Sequence, residues 1–121
     1  MDYQKKENSN FSNIWYKEFQ KSEENHKNYL ANCSWSDLKV HEIIQDKISN
    51  HNLNLQMGNS TSVRYVQLFK HLEKVKYNSN RGISGIDGSS STAAGAAIVN
   101  KENTVLLTGD LSFIYDQNAL W

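Results

Sequence analysis

The chain has 121 residues, enough for one ordinary folded unit and too few for a two-domain enzyme. Thirteen Lys and Arg balance thirteen Asp and Glu, so no global field recruits nucleic acid or an anionic bilayer, and any partner is recognised locally. Mean hydropathy is −0.69; no segment approaches the roughly 18 consecutive apolar residues of an integral membrane segment, and the start, MDYQKKENSN, lacks the apolar core of a secretion signal.

Residues 11 to 31 place Phe11, Ile14, Trp15, Phe19, Tyr29 and Leu30 among Lys, Glu, Asn and Gln, a loose helical stripe on which Trp15 reads as a packing residue. Asn32-Cys33 breaks the pattern. Cys33 is the single cysteine; it forms no internal disulfide, lacks an activating neighbour and suits a reducing, cytoplasmic setting. Trp35 also reads as packing. Ser36 then N-caps a second helix over Leu38, Val40, Ile43, Ile44 and Ile48, with Asp37 favourably placed in its first turn.

From residue 53 the pattern changes to short strands alternating with helices. Leu53 to Met57 is a strand, Val63 to Leu72 a helix and Val75 to Asn78 a second strand. SSSTAAGAAIV at 89 to 99 reads as a small-residue helix packed close to a sheet, Thr104 to Thr108 as a buried strand, and Leu111 to Trp121 as a last helix. The order β-α-β-α-β-α predicts an α/β fold, a parallel sheet with right-handed crossovers preceded by two helices. Three strands make a thin sheet, the expectation for a truncated domain.

In an open parallel sheet, ligands bind beyond the carboxyl ends of the strands. The three loops there are 58–62 (GNSTS), 79–88 (SNRGISGIDG) and 109–112 (GDLS), and they hold every glycine except Gly95. A chain with eleven Lys and only two Arg puts both arginines, Arg64 and Arg81, in or just after these loops, where a rigid fork suits a carboxylate or phosphate. Asp110, after Gly109 at a strand end, is placed either to cap a helix or to give Mg²⁺ an oxygen ligand beside a phosphate. The helix after Gly88 offers N–H groups to an anion. GISGIDG does not have the glycine spacing of a dinucleotide fingerprint. His26, His41, His51 and His71 lack metal-ligand spacing and read as surface residues, while Asp87 and Asp116 read as caps or turn formers. Residues alone reach an anion-binding α/β edge.

The stretches GNSTSVR, SNRGISGIDGSSSTAAGAA and LLTGDLSFIYDQNALW closely resemble the 2-succinyl-5-enolpyruvyl-6-hydroxy-3-cyclohexene-1-carboxylate synthase family of menaquinone biosynthesis. The resemblance runs from about residue 58 to the end, with SDLKV at 36 to 40 weakly supportive. It implies a thiamine-diphosphate-dependent carboligase that decarboxylates 2-oxoglutarate and adds the succinyl unit to isochorismate. Asp110 matches the first Mg²⁺ ligand of the family's metal motif. Ser60, Arg64 and Arg81 match positions that bind the carboxylates of substrate or intermediate, Ile86 the apolar wedge that bends the cofactor, and Gly109 and Ser112 the diphosphate lining. Leu111 stands where many thiamine enzymes have glycine, a departure the resembled synthase shares.

The same resemblance places a second metal ligand, an Asn, further along the chain, and an activating glutamate on a pyrimidine-binding domain of a partner subunit; neither falls within these residues. The expectation is therefore a fragment, inactive alone, of an enzyme that works as a homo-oligomer. Residues 1–35 would be a helical linker or the end of a middle domain, and 36–121 the first half of the diphosphate-binding domain. Two other readings stand beside it: a non-catalytic α/β module that binds an anionic small molecule, and another thiamine-dependent decarboxylase or ligase, which would share Asp110 without needing the two arginines.

Overall fold

A computed structural model describes residues 10–121 of the chain, in two compact units that divide between Lys39 and Val40. In the first unit α1 (Phe11–Asn32) ends where the Cys33 N–H bonds to the Tyr29 carbonyl, and Lys39 Nζ reaches the Leu30 carbonyl at 2.9 Å. The helix predicted from the stripe forms, but its packing does not follow the prediction. Only Leu30 is buried on α1. Trp15 is 61% exposed and meets Phe11 edge-on with ring centres 6.0 Å apart, and Trp35 is 77% exposed. α2 (Asp37–Ile48) begins as predicted, with Ser36 Oγ accepting the Lys39 N–H at 3.4 Å and Asp37 in the first turn.

The second unit is built on a three-stranded parallel sheet in the order β2-β1-β3, with β1 at Leu53–Met57, β2 at Val75–Ser79 and β3 at Asn103–Leu107. Leu53, Leu55 and Met57 register with Val75, Tyr77 and Ser79 on one side and with Asn103, Val105 and Leu107 on the other. Side chains alternate along a strand, so β1 presents Leu53, Leu55 and Met57 to one face and Asn54 and Gln56 to the opposite one. The apolar face packs with Ile48, Val63, Val66 and Val75, flanked by Ile44, Leu72 and Tyr77. On the polar face Asn54 Oδ1 accepts from Asn78 Nδ2 at 2.7 Å and Gln56 Nε2 at 3.2 Å, so these buried amides are paired rather than stranded.

The chain moves one way from β1 to β2 through α3 (Thr61–Val66) and back across to β3 through α4 (Ser89–Val99). Right-handed crossovers in opposite directions put the two helices on opposite faces of the sheet. α4 packs on β1 and β3; its small side chains, with Ala93 buried, permit a close approach.

Three predicted boundaries are corrected. The helix expected over Val63–Leu72 stops at Val66, because Leu68 and Phe69 donate to the carbonyls three residues back, Tyr65 and Val66, tightening the chain into a turn. The strand read as Thr104–Thr108 starts one residue earlier and is half-buried, because β3 is an edge of the described sheet. The last helix divides into α5 (Asp110–Tyr115) and a 3-10 turn (Gln117–Leu120), interrupted at Asp116, whose carboxylate turns to α4. Likewise His41, read as a surface residue, is only 7% exposed and lies edge-on to Tyr65 at 5.1 Å.

Leu55 is fully buried at 0% exposure on the central strand, whereas Ile98 is 85% exposed. Leu55→Ala is expected to cost about 2–5 kcal/mol, a large share of a small domain's stability. Ile98→Ala should stay within about 0.5 kcal/mol. Urea unfolding of the two variants checks the contrast.

Candidate functional site

The carboxyl ends of the three strands are tied to one another by named contacts. The Gly58 N–H continues the ladder to the Leu107 carbonyl at 2.8 Å. A Cβ placed on Gly58 would stand 2.6 Å from Thr108 Oγ1 and 3.2 Å from Thr108 Cα, so the close approach of the first loop to the third requires glycine there. Between the first loop and the second the tie is Asn59, 3% exposed. Its Nδ2 donates to the carbonyls of Asn80, at 2.8 Å, and Gly85, and its Oδ1 accepts from Arg81 Nη1 at 3.3 Å. An amide has two donors and one acceptor oxygen, and each faces its complement here. The second loop meets the third where the buried Ser112 hydroxyl donates to the Ile86 carbonyl.

Asn80 and Gly88 shape the end of the second loop. Gly88 has φ 74°, a left-handed conformation suited to glycine, and Asn80 Nδ2 donates to the Gly88 carbonyl at 3.2 Å and to Thr92 Oγ1 at 3.0 Å. The start of α4, read from the sequence as a cradle for an external anion, holds an internal one. Ser91 donates its N–H and its hydroxyl to the Asp116 carboxylate, each at 2.6 Å. The Ser91 hydroxyl and N–H hold that carboxyl below the ordinary 3.8 against the opposing effect of its burial. Asp116 thus caps α4 from across the third loop, one of the roles read for it from sequence.

The sequence-selected residues fall on this frame as follows. Ser60 precedes α3 with φ 71° and ψ −124°, a backbone state that a non-glycine residue holds at a cost of roughly 1–3 kcal/mol. Arg64 lies exposed in the last turn of α3. Arg81 is fixed to Asn59 and also lines a cavity between α3 and β2; Ser60, Arg64, Ile86 and Asp110 do not line that cavity. Ile86 is 38% exposed, with its carbonyl taken by Ser112. Gly109 caps α5 with nothing within 4 Å of the position a Cβ would take. Asp110 is exposed at the first residue of α5, its Oδ1 accepting the Leu111 N–H at 2.8 Å. The structure therefore joins Ser112 to Ile86 and Arg81 to the first loop.

Among the described residues no cluster of three or more His, Cys, Asp or Glu side chains could hold a metal. A Mg²⁺ ion that borrows most of its shell from phosphate and water needs only one or two carboxylates, and the exposed Asp110 beside the open space over Gly109 has the chemistry for that. Sequence reading missed Asn59. Its place immediately after the glycine of a strand end was the available signal, but an Asn in a loop of a chain with fifteen of them carries little weight.

No family model matches the chain. It is 48% identical over 101 residues to a 2-succinyl-5-enolpyruvyl-6-hydroxy-3-cyclohexene-1-carboxylate synthase of Christiangramia forsetii, covering 84% of this chain and 17% of that protein. The enzyme of the same name from Flavobacterium psychrophilum is 52% identical over 93 residues, 77% of this chain and 17% of its own length. That of Porphyromonas gingivalis is 45% identical over 116 residues, 95% of this chain and 20% of its own length. A match over 95% of the chain takes in all three loops. The chain thus spans only 17–20% of the length of these relatives.

Two outcomes test the frame. Asn59→Ala leaves the carbonyls of Asn80 and Gly85 without their partner and is expected to cost about 1–3 kcal/mol in urea unfolding. Asp116 has a depressed folded value, so its stabilising contribution is complete above the ordinary value and disappears as pH falls through the folded one. Asp116→Asn should therefore lower the urea midpoint at neutral pH and reduce the difference between neutral and acidic midpoints.

Proposed function

Because the chain belongs to the 2-succinyl-5-enolpyruvyl-6-hydroxy-3-cyclohexene-1-carboxylate synthase family, we propose that its three strand-end loops form the diphosphate and carboxylate side of such a synthase's site. In the whole protein, a cytoplasmic homo-oligomer of menaquinone biosynthesis, that site decarboxylates 2-oxoglutarate and adds the succinyl unit to isochorismate. The observation that carries the reading is a match over 95% of the chain at 45% identity, a stretch long enough to span every residue assigned below.

Thiamine diphosphate, when bound, would supply the electron sink that decarboxylation of a 2-oxo acid requires. Asp110 would give an oxygen ligand to Mg²⁺, and the open space over Gly109 would leave room for the diphosphate. Ser112 holds the Ile86 carbonyl, so the apolar Ile86 side chain is presented from a fixed backbone to wedge the cofactor. Ser60, Arg64 and Arg81 bind carboxylates of the two acids. Arginine suits this work because its planar fork donates to both oxygens of a carboxylate and keeps its charge at any physiological pH. The strained backbone at Ser60 supports the assignment, since such strain gathers at ligand sites.

Calorimetry with thiamine diphosphate tests the reading. Binding should require Mg²⁺ and be lost in Asp110→Ala. Equal binding without the metal, or by the variant, would remove the proposed metal role. A separate outcome concerns Ser60: Ser60→Gly should relieve strain and raise stability by about 1 kcal/mol while weakening use of the acid substrates in a complete synthase carrying this segment.

A further inference from the structure

The cavity that Arg81 lines has a volume of ≈400 Å³, within the usual range for small-molecule sites. Met57, Val63 and Val66 are core residues that reach its wall, and Phe69 and Tyr77 add aromatic surface. Its lining holds two cationic side chains, Arg81 and Lys70, with His71 and Tyr77 beside them and no Asp or Glu. Two of its wall residues, Tyr77 and Arg81, are held by hydrogen bonds within the chain. Tyr77 OH accepts the Leu72 N–H and donates to Gln45 Oε1, both at 3.3 Å, and the Tyr77 ring meets His71 edge-on at 5.0 Å. Arg81 is anchored through Nη1 to Asn59, which leaves the other donors of its fork to engage a second group.

We propose that this cavity binds a small monocarboxylate with an apolar body, its carboxylate at the basic rim by Arg81 and its body against Met57, Val63 and Phe69. The site is distinct from the loop residues Ser60, Arg64, Ile86 and Asp110, none of which lines it. An apolar floor selects against a compact polyanion, whose desolvation there is not repaid, and the basic rim selects against a neutral analogue. A flat two-oxygen group matches the guanidinium fork. The inference shares Arg81 with the proposed function, so a ligand held here would compete for that guanidinium with the acids proposed for the loops, and it uses none of the other loop residues assigned there.

The test is a heteronuclear NMR titration of the full chain with cyclohexanecarboxylate, with cyclohexylmethanol and inorganic phosphate as controls. Saturable shifts should appear at the amides of Val63, Val66, Phe69, Tyr77 and Arg81, and both controls should bind at least about tenfold more weakly. Gln67, an exposed lining residue at the end of α3, supplies variants that spare the core. Gln67→Glu should weaken binding about tenfold or more and Gln67→Lys should not weaken it. Equal binding of the alcohol or of phosphate, no saturable shifts, shifts confined to residues 109–112, or indifference to Gln67→Glu would overturn the proposal. Asp110→Ala should leave this titration unchanged, so failure here and failure of the thiamine diphosphate site are read separately.

Discussion

The course of the second loop at the carboxyl edge of the sheet depends on one buried amide. Asn59 stands where the central strand leaves the core, and its side chain satisfies two carbonyls of the second loop while accepting the guanidinium of Arg81. No other uncharged side chain of that size except an amide offers donors and an acceptor in this arrangement. An Asp of the same shape would face two carbonyl oxygens with no donor. The long glycine-rich loop 79–88 therefore has a defined course, and the positions of Arg81 and Ile86 follow from it.

The other two contacts extend this constraint to the third strand. Gly58 lets the first loop lie against Thr108, and Ser112 takes the Ile86 carbonyl. Asp116 closes the circuit by capping α4, so the interruption of the last helix and the start of the small-residue helix are the same interaction seen from two sides. A site assembled in this way has its backbone organised without a ligand, while Asp110 and Arg64 remain exposed. A backbone organised in advance does not have to be ordered at the moment of association.

Much of this was legible in the residues. Alternation of short apolar runs with helical stretches was enough for a parallel α/β sheet, and the three loops were located as the segments that follow its strands. Helix ends were not, because Phe69 and Leu72 continue an apolar pattern that periodicity assigns to a helix, whereas the chain turns at Gln67. The aromatic stripe of α1 misled for a related reason: periodicity reports which residues share a face, and gives no information about whether anything covers it. Arg64 and Arg81 were singled out because arginine is scarce in this chain, and Asp110 because it follows glycine at the end of an apolar strand. Asn59 and Asp116 act through tertiary hydrogen bonds across 21 to 26 residues of sequence, and no local pattern encodes such a partner.

The central claim is that the converged loops place Asp110 to share a metal with a diphosphate. Paramagnetic broadening by Mn²⁺, added to the labelled chain with and without thiamine diphosphate, tests it most directly. The account predicts broadening centred on the amides of Gly109, Asp110 and Leu111 that strengthens when the diphosphate is present. Broadening centred on other carboxylates, or the same at Asp110 with and without the diphosphate, would contradict it.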